Sequence, residues 1–241
     1  MKERIFKERH YFIFIVVSFL LVLFMPVASV SDTNGNGVPA EFIQIETFHS
    51  NLEQEGDKKI PYYITESHIS DNTRVLDFGC GKCEFFDRVK GKFNNLKLVG
   101  YDIDKYYLDL GKKKGYEVYS SLDKIKGKFD CVICEQVIEH LTAEQARFFF
   151  KQSSEFLNSG GKLIISTLNA NEFYNLRDIW NDPSHIRLYS LNALNEIAKQ
   201  NNLKLINVNR YNGRINPLKI LVNLLFFMSV YTGITLVFEK V

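Results

Sequence analysis

The chain has 241 residues, of which 46% are apolar and 24% are charged, and its formal net charge is +2. This length and apolar content are enough for one sizeable domain with its own core. Because the basic residues are scattered and form no continuous run, the charge pattern argues against nucleic acid as a partner.

The chain begins with a basic segment and continues with a long apolar run. Tyr11–Val30 contains no charged residue. A membrane helix needs ~20 such residues and the core of a signal peptide needs fewer, so residues 1–30 are predicted to form a hydrophobic membrane-anchoring helix. Small residues near Ala28 leave a cleaved signal peptide as an alternative, and a shorter soluble product starting at Met25 is another. Residues 31–60 are predicted to be a linker.

From about Pro61 onward, strand-like and helix-like segments alternate. The predicted strands are Val75–Phe78, Leu96–Tyr101, Glu117–Ser120, Phe129–Cys134 and Lys162–Thr167. The predicted helices are Glu84–Lys90, Tyr106–Lys114 and Thr142–Leu157, the last beginning with a capping box from Thr142 to Gln145. This alternation predicts an α/β domain over residues 61–241, with a parallel sheet and helices on both faces. Such sheets bind ligands outside the carboxyl ends of their strands.

The segment "RVLDFGCGKCEFF" predicts a nucleotide-like site after the first strand. Asp77 ends the apolar run, while Gly79 and Gly81 let the backbone turn tightly and approach a ligand. The next helix directs its N-terminal NH groups toward the same place. Asp102 follows the second strand about twenty residues later, where a carboxylate can accept hydrogen bonds from both hydroxyls of a ribose.

The same segment also offers a thiolate zinc site, because Cys80 and Cys83 are followed by a second pair, Cys131 and Cys134. Zinc ribbons separate their pairs by ~15–20 residues, and the separation here is far longer. In a strand, residues three apart point to opposite faces, so the second pair is a poor chelate and a poor disulfide. Asp and His residues are also scattered along the chain, so no metal is predicted.

Four stretches in order, "VLDFGCGKCEFF", "LVGYDID", "FDCVICEQVIEHL" and "GGKLIISTLN", resemble the motifs of class I S-adenosylmethionine-dependent methyltransferases. The resemblance runs from about Pro61 to the C-terminus. It implies a Rossmann-like, doubly wound, mostly parallel seven-stranded sheet and S-adenosyl-L-methionine as the cofactor. A non-catalytic cofactor-binding module of the same fold is the alternative.

The resemblance also implies residue roles. Residues of the glycine turn would line the methionine part of the cofactor, Asp102 would bind the ribose and Ile103 would pack on the adenine. The stretch after the fourth strand would close the pocket. The implied cofactor residues are Asp77, Gly79, Cys80, Gly81, Asp102, Ile103, Cys134, Glu135 and Gln136. The chain departs from the family at Cys83, where glycine is usual.

Within the family, "EQVIEHL" and "WNDPSHIRLYS" resemble the branch that acts on small molecules, including ubiquinone-type O-methyltransferases and enzymes that methylate glycans or lipid-linked sugars. If the acceptor is a hydroxyl, a base helps to remove its proton, and an imidazole is poised near neutral pH. His140 and His185 are the candidates, and the resemblance places His185 toward the acceptor. Glu139 is interpreted as structural.

The C-terminal region "INPLKILVNLLFFMSVYTGITLVFEKV" is nearly free of charge. We interpret Pro217–Tyr231 as an apolar helical insertion and Ile234–Glu239 as the last strand. An exposed apolar helix suits a lipid-like acceptor or a membrane surface. The cofactor is made in the cytosol, which predicts a membrane-associated domain on the cytosolic side. The basic residues before the anchor point to the opposite orientation.

Overall fold

The computed structural model describes residues 63–179, 182–212, 217–226 and 228–241. The predicted anchor over residues 1–30 and the predicted linker over residues 31–60 lie outside the described residues. Within the described ranges, no helix combines the length and the apolar character needed to cross a bilayer.

A seven-stranded sheet forms the centre of the domain. Its strands are β1 (Arg74–Phe78), β2 (Lys97–Tyr101), β3 (Glu117–Tyr119), β4 (Phe129–Glu135), β5 (Leu157–Leu168), β6 (Leu203–Tyr211) and β7 (Gly233–Lys240). Their order in the sheet is β3-β2-β1-β4-β5-β7-β6. The first five pair in parallel, while β7 is antiparallel to both of its neighbours. The predicted fold class is therefore confirmed for the described domain.

Helices cover both faces of this sheet. They are α1 (Tyr63–Glu66), α2 (Glu84–Val89), α3 (Lys105–Lys113), α4 (Ala143–Phe156), α5 (Phe173–Asp178), α6 (Leu191–Lys199) and α7 (Pro217–Leu225). The predicted capping box starts α4, because the Thr142 hydroxyl accepts from the backbone NH of Gln145 and the Gln145 side chain accepts from the backbone NH of Thr142.

The apolar core is divided by the sheet into two clusters of buried side chains. Cys131 lies in one cluster with Phe86 and Ile133, whereas Cys134 lies in the other with Phe149 and Phe238. The two cysteines of β4 therefore point to opposite faces, as the strand periodicity predicts. This geometry argues against a common metal for that pair.

The strand order reverses between β1 and β4, which are adjacent in the sheet and are followed by helices on opposite faces. In open parallel sheets a crevice forms outside the carboxyl ends of the strands at this point. The turn after β1 and the segment after β4 both contain predicted site residues, so the topology brings them to one edge.

The prediction of a helix from Pro217 to Tyr231 is too long, because α7 ends at Leu225. Two side chains from the loop and helix after β5 bind the backbone between α7 and β7. The Asn169 amide donates to the carbonyl of Tyr231 at 2.8 Å, and the Asn175 amide donates to that of Thr232 at 2.6 Å. These bonds hold the segment in a non-helical path that leads into β7.

Candidate active site

The glycine turn after β1 is tied to the end of β2. The backbone NH groups of Gly79 and Cys80 both donate to the carbonyl of Tyr101, at 2.7 Å and 3.0 Å. Gly79 has φ +83°, and a Cβ there would overlap the side chain of Val137. Gly81 has φ +46° with open space around it, so it is the part of the turn that a ligand can approach closely.

Asp102, directly after β2, is oriented by the same turn. Its Oδ2 accepts from the backbone NH of Gly81 at 2.8 Å, and its Oδ1 accepts from that of Asp104 at 2.9 Å. Each carboxylate oxygen can accept more than one hydrogen bond, so both retain capacity for ribose hydroxyls. Ile103 is 78% exposed beside it, as a side chain that packs on a planar base requires.

Asp77 is buried at the end of β1. Burial raises the pKa of Asp77 well above its ordinary value, and the neighbouring Glu135 carboxylate raises it further. Glu135 itself accepts from the Thr65 hydroxyl at 2.6 Å and from the Arg88 guanidinium at 2.9 Å. These contacts engage both oxygens of Glu135 and connect α1 and α2 to the end of β4.

Two of the predicted cofactor residues have side chains that face the core. Cys134 is fully buried and Cys80 is 6% exposed, so a ligand at this edge would meet their backbone and not their thiols. Gln136 follows β4 with φ 55°, and its backbone NH donates to the carbonyl of Ser166 at 2.8 Å. Among the described residues, its buried amide nitrogen has no hydrogen-bond partner.

Cys83, where the family usually has glycine, adopts a left-handed backbone conformation with φ 61° and ψ 35° just before α2. Its thiol is buried and hydrogen-bonds Cys80, which lowers the pKa of Cys83 and raises that of Cys80. Glycine adopts this conformation without the ~1–2 kcal/mol that a side chain costs. The conformation explains why glycine is usual in this turn.

We therefore predict that Cys83→Gly preserves cofactor affinity. The relief of backbone strain offsets the loss of a small buried side chain, so the midpoint of thermal unfolding should shift by only a few degrees. Calorimetric titration with S-adenosylmethionine and a thermal melt measure both effects. A large loss of affinity in the folded variant would show that the thiol itself supports the site.

A second cluster lies beyond the ends of β4 and β5. His140 and Glu139 belong to a short 3-10 helix, Ile138–His140, and His185 comes from the loop before α6. The rings of His140 and His185 are 4.7 Å apart between centroids. The backbone NH groups of Ile186 and Arg187 donate to the carbonyl of Glu139 at 2.9 Å and 3.1 Å, which fixes the loop against the 3-10 helix.

Glu139 is a buried member of this cluster, although the sequence suggested only a structural role. Its Oε2 accepts from the Thr167 hydroxyl at 3.0 Å, and burial raises its pKa. Ligand atoms of Glu139, His140 and His185 lie within 4.8 Å of one another. The argument that Asp and His residues are too scattered for a ligand cluster is therefore wrong for these residues. In the sequence, the sign of this cluster was the adjacent pair Glu139-His140, which comes soon after the buried strand β4.

Comparison with known proteins identifies the family. A family model described as a methyltransferase domain matches residues 48–208. The ubiquinone biosynthesis O-methyltransferase of Pelagibacter ubique (strain HTCC1062) is 31% identical over 127 residues, an alignment that covers 44% of this chain. It covers 51% of the relative, so the chain matches about half the length of that protein.

Solved structures share the fold at low sequence identity. A SAM-dependent methyltransferase from Archaeoglobus fulgidus has a TM-score of 0.65 and 17% identity, covering 80% of this chain and 99% of its own. Magnesium protoporphyrin IX methyltransferase from Synechocystis PCC 6803, solved with bound SAH, has a TM-score of 0.53 and 15% identity. The match covers 75% of this chain and 79% of that one.

The sheet order, the glycine turn and the carboxylate after β2 define a Rossmann-like enzyme of the class I methyltransferase type. The chain belongs to the methyltransferase-domain family, and the resemblance predicted from its motifs is confirmed. S-adenosylmethionine is the cofactor of this class. The individual residue roles remain predictions.

Proposed function

We propose that the chain transfers the methyl group of S-adenosylmethionine to a hydroxyl of a small molecule, glycan or lipid-linked acceptor at a membrane. The observation that carries the proposal is the position of the cluster of Glu139, His140 and His185. It lies at the same edge of the sheet as the glycine turn and Asp102, beyond the ends of the next strands. One edge therefore combines a cofactor site with groups suited to activating a hydroxyl.

The residues at this edge fit the cofactor. Gly81 leaves open space beside the turn, Asp102 keeps acceptor capacity for the ribose, and Ile103 exposes an apolar surface for the adenine. S-adenosylmethionine supplies an electrophilic methyl group when bound. The chain's task is then to hold the acceptor oxygen in line with that group and to exclude water. His140 and His185 would lie beside the acceptor hydroxyl.

The type of acceptor is supported by the curated relative, whose name describes an O-methyltransferase. Methylation of oxygen needs a means of removing the hydroxyl proton, which a polar cluster provides and a purely apolar pocket does not. Methyl transfer is tested by incubating the full chain with methyl-labelled S-adenosylmethionine and pools of quinols, sugars and lipids.

We expect the labelled methyl group to appear as a methyl ether in one of these acceptor pools. Transfer to a nitrogen or carbon acceptor would contradict O-methylation. Binding of the cofactor without transfer to any pool would favour the alternative of a non-catalytic module.

The membrane part of the proposal is supported by α7. Its leucines at positions 218, 221, 224 and 225 are between 53% and 66% exposed, although a soluble helix normally buries such a set. The helix lies between the end of β6 and the start of β7, which pairs with Leu168 at the carboxyl end of β5. The apolar surface is therefore at the same edge as the candidate active site, where a lipid-like acceptor would arrive.

We predict that α7 binds lipid independently of residues 1–30. A chain that lacks only residues 1–30 should float with phosphatidylcholine vesicles. The double change Leu221→Ser and Leu225→Ser in that chain should release it from the vesicles. Burying each leucine contributes up to ~1.5–3 kcal/mol, so the double change should weaken partitioning by about tenfold or more.

Ile206→Ser is the matched control, because Ile206 is 44% exposed on β6 and lies outside α7. It should leave flotation unchanged. A truncated chain that stays in the soluble fraction as a monomer would show that α7 does not bind membranes.

A further inference from the structure

We propose that Glu139, His140 and His185 bind one divalent transition-metal ion, with Zn²⁺ as the best fit, and that its open position takes the acceptor oxygen. The carboxylate and the two imidazoles each offer one ligand atom, and these atoms lie within 4.8 Å of one another. Two imidazoles and one carboxylate form a donor set that zinc uses in catalytic sites, where three protein ligands leave one position open.

Each of these side chains is oriented by a neighbouring group. The Thr167 hydroxyl donates to Oε2 of Glu139 at 3.0 Å. For His140, Nδ1 lies 2.9 Å from the carbonyl of Ser184, which fixes Nδ1 as the protonated nitrogen and leaves Nε2 as the metal-binding one. Metal-ligating histidines commonly donate their other NH to a carbonyl or carboxylate in this way.

His185 lies beside a carboxylate. Its Nε2 is 3.6 Å from Oδ2 of Asp182, an ion-pair distance that turns this edge of the ring toward Asp182, and Nδ1 is the nitrogen proposed to bind the metal. Asp182 is itself held in place, since the backbone NH and the hydroxyl of Ser184 donate to its Oδ1 at 2.9 Å and 2.6 Å. The loop therefore holds both the histidine and its orienting carboxylate.

An independent observation is the second oxygen of Glu139. Oε1 is buried and has no hydrogen-bond partner among the described residues, and the whole residue is only 1% exposed. A buried carboxylate oxygen without a partner is costly, and a cation bound at Oε1 removes that cost. The feature distinguishes this cluster from an ordinary group of hydrogen-bonded polar side chains.

The role of the ion rests on the proposed function. A hydroxyl bound to the open position loses its proton to water more readily, because the cation stabilises the resulting oxyanion. The acceptor oxygen then forms a bond to the methyl carbon while the carbon–sulfur bond breaks and its electron pair stays on sulfur. In this arrangement, His140 and His185 are metal ligands and do not act as the base.

Metal binding is tested on the metal-free full chain by calorimetric titration with Zn²⁺ and by the visible spectrum with Co²⁺. The proposal expects one ion per chain and at least a hundredfold loss of affinity in both His185→Ala and Glu139→Gln. The glutamine variant keeps the side chain's shape, so it guards against a simple folding defect. His68→Ala is the matched control, because it removes a half-buried imidazole outside the cluster and should bind the metal normally.

Two further measurements separate this proposal from the proposed function. Cofactor affinity should be unchanged in Glu139→Gln, and methyl transfer to a hydroxyl acceptor should depend on added metal. No Zn²⁺ binding by the wild-type chain, equal binding by the cluster variants, or a thiolate charge-transfer band in the Co²⁺ spectrum would each overturn the site. Full-rate transfer by the metal-free chain would overturn its activating role, whereas metal binding without O-methylation would contradict the proposed function and leave the site standing.

Discussion

Replacement of Gly79 by alanine is expected to abolish cofactor binding and to lower the free energy of unfolding by about 2–5 kcal/mol. A side chain at φ +83° is strained, and its Cβ would overlap the side chain of Val137. The turn would have to move, and with it the two hydrogen bonds that its NH groups donate to Tyr101. Thermal unfolding and calorimetric titration with S-adenosylmethionine measure the two effects.

Two variants separate the overlap from the backbone strain. Gly91→Ala introduces a Cβ at φ +76° with no atom within 4 Å, so it should show the strain alone and keep cofactor affinity. Val137→Ala combined with Gly79→Ala removes the two closest of these contacts and should restore part of the lost stability. If Gly79→Ala alone binds the cofactor normally, then the close approach of the turn to Val137 is not needed for the site.

Asp102→Ala is expected to weaken cofactor binding by about ten- to a hundredfold, because a charged acceptor of hydrogen bonds is worth ~1.5–3 kcal/mol. The carboxylate is placed for this role by the NH groups of Gly81 and Asp104. Its removal therefore affects the ligand contact and also the orientation of the glycine turn. Calorimetric titration of the folded variant with S-adenosylmethionine measures the loss.

Asp102→Asn keeps an oxygen acceptor but loses the charge, so its affinity should lie between those of the wild type and the alanine variant. Asp109→Ala removes a carboxylate from the same region at an exposed position on α3 and should leave binding unchanged. Unchanged affinity in folded Asp102→Ala would refute the assignment of this residue to the ribose.

The central sheet could be predicted because its signals are local. The apolar runs that became β1, β2 and β4 end at or next to the residues where the strands end, and Thr142 starts α4 through bonds to a residue three positions away. The glycine turn and Asp102 were also predictable, since a parallel sheet places the ends of β1 and β2 side by side.

The close approach of His140 and His185 could not be predicted in the same way. His140 and His185 are brought together by a loop whose backbone binds the carbonyl of Glu139, and no periodic pattern encodes that contact. The backbone that leads from α7 into β7 is held at Tyr231 and Thr232 by Asn169 and Asn175, which are distant in sequence. The overlap between a Cβ at Gly79 and Val137 is likewise a tertiary property.

Calorimetric titration of the purified full chain with S-adenosylmethionine tests the central claim most directly. We expect one binding site per chain, with affinity reduced about ten- to a hundredfold by Asp102→Ala and unaffected by Asp109→Ala. A folded wild-type chain that binds neither S-adenosylmethionine nor S-adenosylhomocysteine would contradict it.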